Sequence, residues 1–227
     1  MSNNGAAIFW AVVTVGVYLA ARVAYQRLPR WWTSPMLVTW LFCGALLLGL
    51  QSDYKVYLGG THWLVTLLGP ATVAFAIPIH AQRVLIRKHW ILIAVGVVVG
   101  SAIAFASSWI LAWVFQLSPE MRASLLPRSV SIPFAMAESQ RIGGLPELTA
   151  TFTAITALFG AAIGDGLLSC LPFRTAFARG AFFGMGAHGA GVAKARELGQ
   201  EEGAIAGLIM IFAGLFNVLA ATAWMSL

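Results

Sequence analysis

The sequence predicts an all-α polytopic membrane protein with about eight membrane segments, several of them broken helices. Of the 227 residues, 59% are hydrophobic and only 10% are charged, whereas a soluble domain carries about 25% charged residues. The mean hydropathy is +0.83. A bilayer-spanning helix needs about 20 apolar residues, so the chain has room for roughly seven or eight such helices. We therefore expect a single transmembrane domain over residues 1–227.

Apolar runs without helix breakers predict the uninterrupted spans. They cover approximately residues 6–25, 36–50, 90–115, 148–171 and 204–226. The first run has no basic segment before it, so we expect a membrane span rather than a cleavable signal peptide. The two spans within residues 1–57 are assigned, with the last span, to a scaffold.

The segment between the fourth and sixth spans is the centre of the prediction. Pro127 and Pro133 lack a backbone donor, so residues 127–132 are expected to be extended or unwound. A helix can restart at Pro133, with Ser129 and Ser131 placed to cap its free N–H groups. A broken helix persists in a membrane where its backbone lines a polar cavity or is buried in protein, and transporters bind substrate at such breaks.

Two other segments are also expected to be broken. Residues 58–82 are interrupted at Gly69-Pro70 and again at Pro78, which makes 58–144 a region of two broken helices. Residues 145–227 hold spans six to eight. Span seven, near residues 176–194, is rich in glycine over 184–191, which disfavours a regular helix and allows close approach of a backbone or ligand.

The two proline-broken segments resemble each other. Residues 67–73, Leu-Leu-Gly-Pro-Ala-Thr-Val, are similar to residues 125–130, Leu-Leu-Pro-Arg-Ser-Val. Gln82-Arg83 recurs as Gln140-Arg141, at an offset of 58 residues. Weak symmetry of this kind is typical of transporters built from repeats. We therefore expect an internal repeat, and a site where these two breaks approach each other and the glycine-rich break closes it.

The formal net charge of +6 does not indicate nucleic-acid binding, because polytopic proteins collect Lys and Arg on the cytoplasmic side for topological reasons. Cys43 and Cys170 lie in apolar runs without metal-ligand spacing and are expected to be small core residues. The sequence has no hydrolase triad, phosphate loop or cluster of metal ligands. We therefore expect no enzyme activity, cofactor or metal.

Arg128 lies beside the unwound stretch. Its guanidinium is suited to bind a carboxylate by two parallel hydrogen bonds, supported by the N–H groups of the helix restarting at Pro133. The alternative is an interfacial arginine that reaches the lipid headgroups. His188, in the glycine-rich break, is suited to carry a proton because imidazole titrates near neutral pH; the alternative is a histidine that serves helix packing.

Glu138 and Asp165 are the carboxylates in or near the predicted spans. An ionisable group inside a span costs roughly 2.5 to 3.5 kcal/mol on insertion scales, so each is a candidate functional residue. Glu138 is suited to bind a cation or a proton, although Arg141 three residues later can neutralise it. Asp165 lies within two turns of the end of its span, where an interfacial position is the alternative.

Three stretches resemble the LrgB/CidB family. They are Leu-Leu-Pro-Arg-Ser-Val-Ser-Ile-Pro-Phe-Ala-Met (125–136), Ile-Gly-Gly-Leu-Pro-Glu-Leu-Thr-Ala (142–150) and Ala-Arg-Gly-Ala-Phe-Phe-Gly-Met-Gly-Ala-His-Gly-Ala-Gly-Val-Ala-Lys-Ala (178–195). The resemblance covers nearly the whole chain. The family includes bacterial inner-membrane proteins described as holin-like or antiholin-like regulators of autolysis, and it resembles the C-terminal half of the plastidic glycolate/glycerate translocator.

The chain departs from the family pattern at two places. The family usually has Ser-Val-Thr-Thr-Pro where this chain has Ser-Val-Ser-Ile-Pro at 129–133, and Gly-Thr-Ala where it has Gly-Val-Ala at 191–193. The family also often has Lys at the position of Arg128. Two hydroxyl groups are therefore absent from the expected site, so the resemblance does not specify the substrate or the coupling ion.

The resemblance implies a multi-pass protein of the bacterial inner (plasma) membrane that carries small monocarboxylates such as glycolate, glycerate, pyruvate or acetate by alternating access. The alternative is a holin-like or antiholin-like oligomer that regulates murein hydrolases and autolysis. The expected partners are the carboxylate, the lipid bilayer, further copies of the chain and a small membrane protein resembling LrgA/CidA. Candidate proton- or ion-coupling residues are His188, Glu138 and Asp165. Candidate substrate-binding residues are Pro70, Thr72, Arg128, Ser129, Val130, Ser131, Pro133, His188, Gly189 and Gly191.

Overall fold

The computed structural model describes residues 3–28, 30–74 and 76–225, and these ranges contain helices and no strand. The α-helices are α1 Asn3–Arg27, α2 Pro35–Gly49, α3 Tyr54–Thr66, α4 Leu68–Ala74, α5 Ala76–Ala81, α6 Arg83–Val114, α7 Pro119–Leu125, α8 Ile132–Arg141, α9 Pro146–Cys170, α10 Ala176–Leu198 and α11 Gln200–Met225. Two 3-10 helices cover Trp31–Thr33 and Leu126–Ser129. The all-helical prediction is confirmed.

Four helices in the described ranges are long and apolar enough to cross a membrane: Gly5–Arg27, Arg83–Val114, Pro146–Cys170 and Gln200–Ala220. A shorter apolar helix covers Pro35–Gly49. The expected count of about eight spans is not confirmed. The proline-broken segments form several helices that are each too short to span a bilayer. Helix α10 is long enough, but it carries charged residues near both of its ends and so lacks the composition of a simple span.

The third segment breaks at different positions from those predicted. Pro70 lies inside α4 and Pro78 lies inside α5, each as the third residue of its helix. The first four N–H groups of an α-helix have no intrahelical acceptor, so proline is tolerated there without loss of a hydrogen bond. The interruption after α3 therefore falls upstream of the proline, at Leu67, and not at Gly69-Pro70.

The chain divides into two compact units, residues 1–72 and residues 73–227. In the first unit, α1 packs against α2 and α3. Trp10 is 2% exposed and its ring meets the ring of Tyr57 edge-on, with centroids 5.3 Å apart. Thr14 Oγ1 also lies 3.4 Å from the hydroxyl of Tyr57, so polar and aromatic groups together fix α1 against α3.

In the second unit, α10 packs closely along α11 and against α9. A side chain at Gly180 or Gly184 would collide with backbone carbonyls of α11, and one at Gly160 or Gly164 would collide with α10. These pairs, spaced by four residues, therefore let the helices approach closely within one chain. A second core cluster joins α6 to α11 through the buried residues Ile93, Val97, Ile205, Ile209 and Ala213.

The turn between α7 and α8 differs from the extended segment predicted for residues 127–132. Leu126–Ser129 forms a 3-10 helix with Pro127 in its first positions, where no backbone donor is needed. The backbone is extended at Val130, with φ −120° and ψ 169°. The helix then restarts at Ile132, with Pro133 near its start, as predicted within one residue. The 3-10 turn contacts α6, α7, α8, α9 and α10, so it lies inside the second unit.

Candidate functional site

Arg128 projects from the 3-10 turn and is half-buried. Its Nε donates to Ser108 Oγ at 2.9 Å, its Nη2 to Ser107 Oγ at 3.3 Å and its Nη1 to Thr156 Oγ1 at 3.4 Å. The two serines belong to α6 and the threonine to α9, so the guanidinium bridges two long helices. In the described part of the chain, no carboxylate forms an ion pair with it.

The three hydroxyl groups are oriented to accept from Arg128. Ser107 and Ser108 both donate to the carbonyl of Ala104, at 2.8 and 2.9 Å, and Thr156 donates to the carbonyl of Phe152 at 2.8 Å. Each hydroxyl proton is therefore used within its own helix, and the oxygen lone pairs face the guanidinium. Arg128 is thus bound by neutral acceptors, which make weaker hydrogen bonds to a cation than a carboxylate does.

His188 breaks α10 at a single residue. Its backbone has φ 44° and ψ −124°, which is not helical, and a non-glycine residue at positive φ costs of order 1 to 3 kcal/mol unless its surroundings hold it there. The side chain is 3% exposed and lies near the backbone of Ser129 and the charge of Arg128. Neither ring nitrogen makes a hydrogen bond of acceptable geometry within the described residues.

The glycine-rich break is therefore narrower than predicted, because α10 is helical on both sides of His188. Of the four glycines in residues 184–191, Gly184 and Gly191 are closely packed, whereas Gly186 and Gly189 have open space around the Cβ position. Gly191 is buried, and a Cβ there would collide with the carbonyl oxygen of Phe183. Gly189 is exposed, with open space around its Cβ position.

Helices α8 and α9 form an antiparallel hairpin whose register is fixed at both ends. Near the loop, Thr149 Oγ1 donates to Ser139 Oγ at 2.6 Å; two turns further along α9, Thr156 meets Arg128. Thr149, Thr153 and Thr156 share one face of α9, and Ser131 lies at the start of α8, between Arg128 and Ser139 in the sequence. Polar side chains therefore occur along the hairpin from the 3-10 turn to the α8–α9 loop.

The hairpin also contains buried oxygen atoms without partners among the described residues. Ser131 is 7% exposed, Glu138 6% and Thr153 1%. In the described part of the chain, Ser131 Oγ, Glu138 Oε2 and Thr153 Oγ1 make no hydrogen bond. A buried polar atom without a partner costs about 1 to 3 kcal/mol, so such a group calls for a functional explanation.

The predicted capping of α8 by Ser131 is wrong. Ser131 occupies the N-cap position, but its side chain makes no capping hydrogen bond and its hydroxyl is among the unpartnered buried atoms. Pro133 near the start of α8 removes one N–H group that a cap would otherwise satisfy. The hydroxyl is therefore free to contact another group.

The remaining predicted residues lie in several places. Val130 is buried with Phe134 in a small core cluster, so its side chain packs and only its backbone faces the turn. Pro70 is exposed in the first unit. The side chains of Thr72 and Asp165 lie outside what the structure describes. The structure thus brings His188 near Arg128 and the Ser129 backbone. Ser131 and Pro133 follow the same turn at the start of α8, and Glu138 lies about two turns further along that helix.

Sequence reasoning missed the hydroxyl groups of α6 and α9. Thr149, Thr153 and Thr156 recur at spacings of four and three residues, which places them on one face of a helix. An uninterrupted span therefore also carries a polar face, so the polar residues are not confined to the breaks. That face points inward: Thr149 is fully buried and Thr156 bonds Arg128.

Comparison with known proteins gives two kinds of match. The sequence model of the LrgB-like family matches residues 14–227. The chain is 42% identical over 209 residues to the uncharacterized protein YwbG of Bacillus subtilis (strain 168), covering 92% of this chain and 93% of that protein. It is 34% identical over 194 residues to the uncharacterized protein YxaC of the same organism, covering 86% and 84%. No solved structure matches.

Proposed function

The chain belongs to the LrgB-like family, and from this premise we propose that it is an inner-membrane carrier of small monocarboxylates such as glycolate, glycerate, pyruvate or acetate. One observation supports the proposal most strongly. A half-buried guanidinium, Arg128, has only neutral hydroxyl partners among the described residues, and unpartnered buried polar atoms lie along the hairpin that starts beside it.

Arg128 binds the carboxylate in this proposal. A carboxylate accepts two parallel N–H bonds from the planar guanidinium, and charge-assisted bonds of this kind are roughly twice as strong as neutral ones. Ser107, Ser108 and Thr156 hold the guanidinium in place when the site is empty. When the anion binds, its carboxylate replaces these hydroxyl oxygens as the acceptor of the Arg128 N–H groups. A strong acceptor thus takes the place of weak ones.

The unpartnered groups give the site its second half. The hydroxyls of Ser131 and Thr153 are suited to bind the α-hydroxyl or carbonyl oxygen of a two-carbon or three-carbon acid. His188 and Glu138 are the candidate carriers of a coupled proton. Each of these atoms has almost no solvent-accessible surface, so the site is closed in this conformation and has to open before a solute can bind.

Burial of the site favours a carrier over a pore. Polar groups that are closed off from solvent have to be opened by movement of the helices around them, which is how alternating access works. The natural point of movement is His188, where α10 changes direction. Because α11 packs closely along α10, α11 is expected to move with the broken helix.

The holin-like alternative has one observation in its favour, the threonine face of α9. A polar face along a spanning helix is what an oligomeric pore would require. In this chain, however, Thr149 and Thr156 bond to other parts of the same unit. A pore built from α9 would have to give up these contacts, so the carrier is the better supported reading.

Substitutions at Arg128, assayed by uptake of labelled carboxylate into proteoliposomes, test the proposal. Arg128→Lys keeps substantial uptake because the charge remains, and the family often has Lys here. Arg128→Ala and Arg128→Gln lower uptake about tenfold or more, since a hydrogen bond to a charged group contributes roughly 1.5 to 3 kcal/mol. Arg122→Ala is the control: Arg122 is also half-buried, but bonds the carbonyl of Leu117 at 2.7 Å. Parental uptake by Arg128→Ala would contradict the proposal.

A further inference from the structure

We propose that the chain has a binding site for the headgroup of an anionic phospholipid at the junction of α5 and α6. The site is a cleft of about 400 Å³, here called the basic cleft. His80, Arg83 and Arg87 provide its polar side, and Ile79, Ile86 and Phe212 provide its apolar side. All of these residues belong to the second unit, and none of them takes part in the carboxylate site described above.

The polar side of the cleft is formed where α5 meets α6. His80 lies in the last turn of α5, Arg83 begins α6, and Arg87 follows one turn later. Arg83 Nη1 donates to the carbonyl of His80 at 3.3 Å, which joins the two helices at this corner. In the described part of the chain, no carboxylate forms an ion pair with Arg83 or Arg87, so their charges are available to an anion from outside the protein.

The position of the cleft along α6 corresponds to the level of the lipid headgroups. With 32 residues, α6 is about 48 Å long at 1.5 Å per residue, whereas the hydrocarbon core of a bilayer is about 30 Å thick. The helix kinks at His89, and Trp90, next along the chain, is 62% exposed. Exposed tryptophan is typical of the membrane interface, so the charged turn that precedes it lies at the headgroups.

The apolar side decides in favour of a lipid over a free anion. Inorganic phosphate would use the arginines alone and would leave Ile79, Ile86 and Phe212 without a partner. A phospholipid places its phosphate on the arginines and its glycerol and upper acyl chain along these apolar side chains. A lipid with a net negative charge is preferred because basic clefts between membrane helices bind anionic headgroups, whereas a choline headgroup brings a compensating positive charge.

A topological role is the simpler explanation, because basic residues at helix ends orient membrane proteins whether or not they bind lipid. The sequence provides a control for that role. Lys88 is exposed, lies next to Arg87 in the same turn and does not line the cleft. Arg22, in α1, is also exposed. The Lys88→Gln/Arg22→Gln variant therefore removes two positive charges, as the Arg83→Gln/Arg87→Gln variant does, but it leaves the residues of the cleft unchanged.

Retention of phosphatidylglycerol by the purified full chain, measured by native mass spectrometry against phosphatidylcholine, tests the site. We expect the parent and the control variant to retain phosphatidylglycerol preferentially. The Arg83→Gln/Arg87→Gln variant should lose about tenfold or more of that preference, because it removes the two guanidinium groups that line the cleft and would bind the lipid phosphate through charge-assisted hydrogen bonds. Phosphatidylglycerol should also raise the melting temperature of the parent and of the control variant more than that of the Arg83→Gln/Arg87→Gln variant. The melting transition also verifies that each variant is folded.

Three results would overturn the proposal. If the control variant lost as much of the preference for phosphatidylglycerol as the Arg83→Gln/Arg87→Gln variant, the preference would come from diffuse attraction of basic residues to anionic lipid. Equal retention of phosphatidylcholine and phosphatidylglycerol by the parent would mean that the cleft does not select an anion. Displacement of phosphatidylglycerol by an equal concentration of inorganic phosphate would mean that the apolar side contributes nothing and that the ligand is a free anion.

Discussion

The break of α10 at His188 leads to a prediction about two substitutions at one position. His188→Ala and His188→Gly both remove the imidazole, so both lose the contacts of the ring and differ in the side chain only by one Cβ atom. They differ in the backbone, because alanine retains the cost of φ 44° and ψ −124° and glycine adopts positive φ readily. Comparison of the two variants therefore isolates the conformation of residue 188 from the function of its ring.

The expected difference follows from two opposing terms. Relief of the strained backbone stabilises the glycine variant by about 1 to 3 kcal/mol. The greater conformational freedom of glycine in the unfolded chain costs about 0.5 to 1 kcal/mol. The net advantage of glycine is therefore about 1 kcal/mol, which corresponds to about 2 to 4 °C in melting temperature for a chain of 150 to 250 residues.

Thermal unfolding of the purified variants in one detergent measures this difference. Ala190→Gly is the control, since residue 190 lies in the helical part of α10. There, glycine should lower stability by about 1 kcal/mol relative to alanine, so the two positions are expected to respond with opposite signs. If His188→Gly melts at or below His188→Ala, residue 188 is helical and the account of the break is wrong.

Other predictions concern packing and topology. Gly184→Leu should destabilise the fold by about 1 to 3 kcal/mol because it forces α11 away from α10, whereas Gly189→Leu, in open space, should melt like the parent; equal effects would contradict the packing. Thr149→Val should cost about 1 to 3 kcal/mol because it leaves a buried hydroxyl of α8 unpaired, and an unchanged melting temperature would refute this contact. Cysteines introduced near Lys55 and near Lys88 should react with an impermeant thiol reagent from opposite sides; same-sided labelling would make residues 58–82 a re-entrant segment.

The sequence predicts the helices well where composition alone decides the structure. The long apolar runs that became α1, α6, α9 and α11 were placed with modest errors at their ends, since about 20 apolar residues in a row are best buried as a membrane helix. The breaks were harder to place. Proline is accepted in the first turn of a helix, so Pro70 and Pro78 lie within short helices and not between them.

The candidate site shows the same limit of local reasoning. Arg128 and His188 stand out in the sequence because a charge or an imidazole among proline and glycine has few structural explanations. Ser108, Thr153 and Thr156 do not stand out, because a hydroxyl in a helix usually bonds to its own backbone. Their role depends on the register of α8 against α9 and on the reach of Arg128 to α6, which are long-range contacts that no local pattern encodes.

Counterflow in proteoliposomes tests the central claim most directly. Vesicles loaded with unlabelled glycolate, glycerate, pyruvate or acetate are diluted into a trace of the same labelled acid, and the internal label is followed with time. A carrier that binds its solute and reorients once per cycle gives a transient accumulation of label above equilibrium, and its uptake saturates with concentration. Flux that rises linearly, shows no such accumulation and admits unrelated neutral solutes would contradict the account and identify a pore.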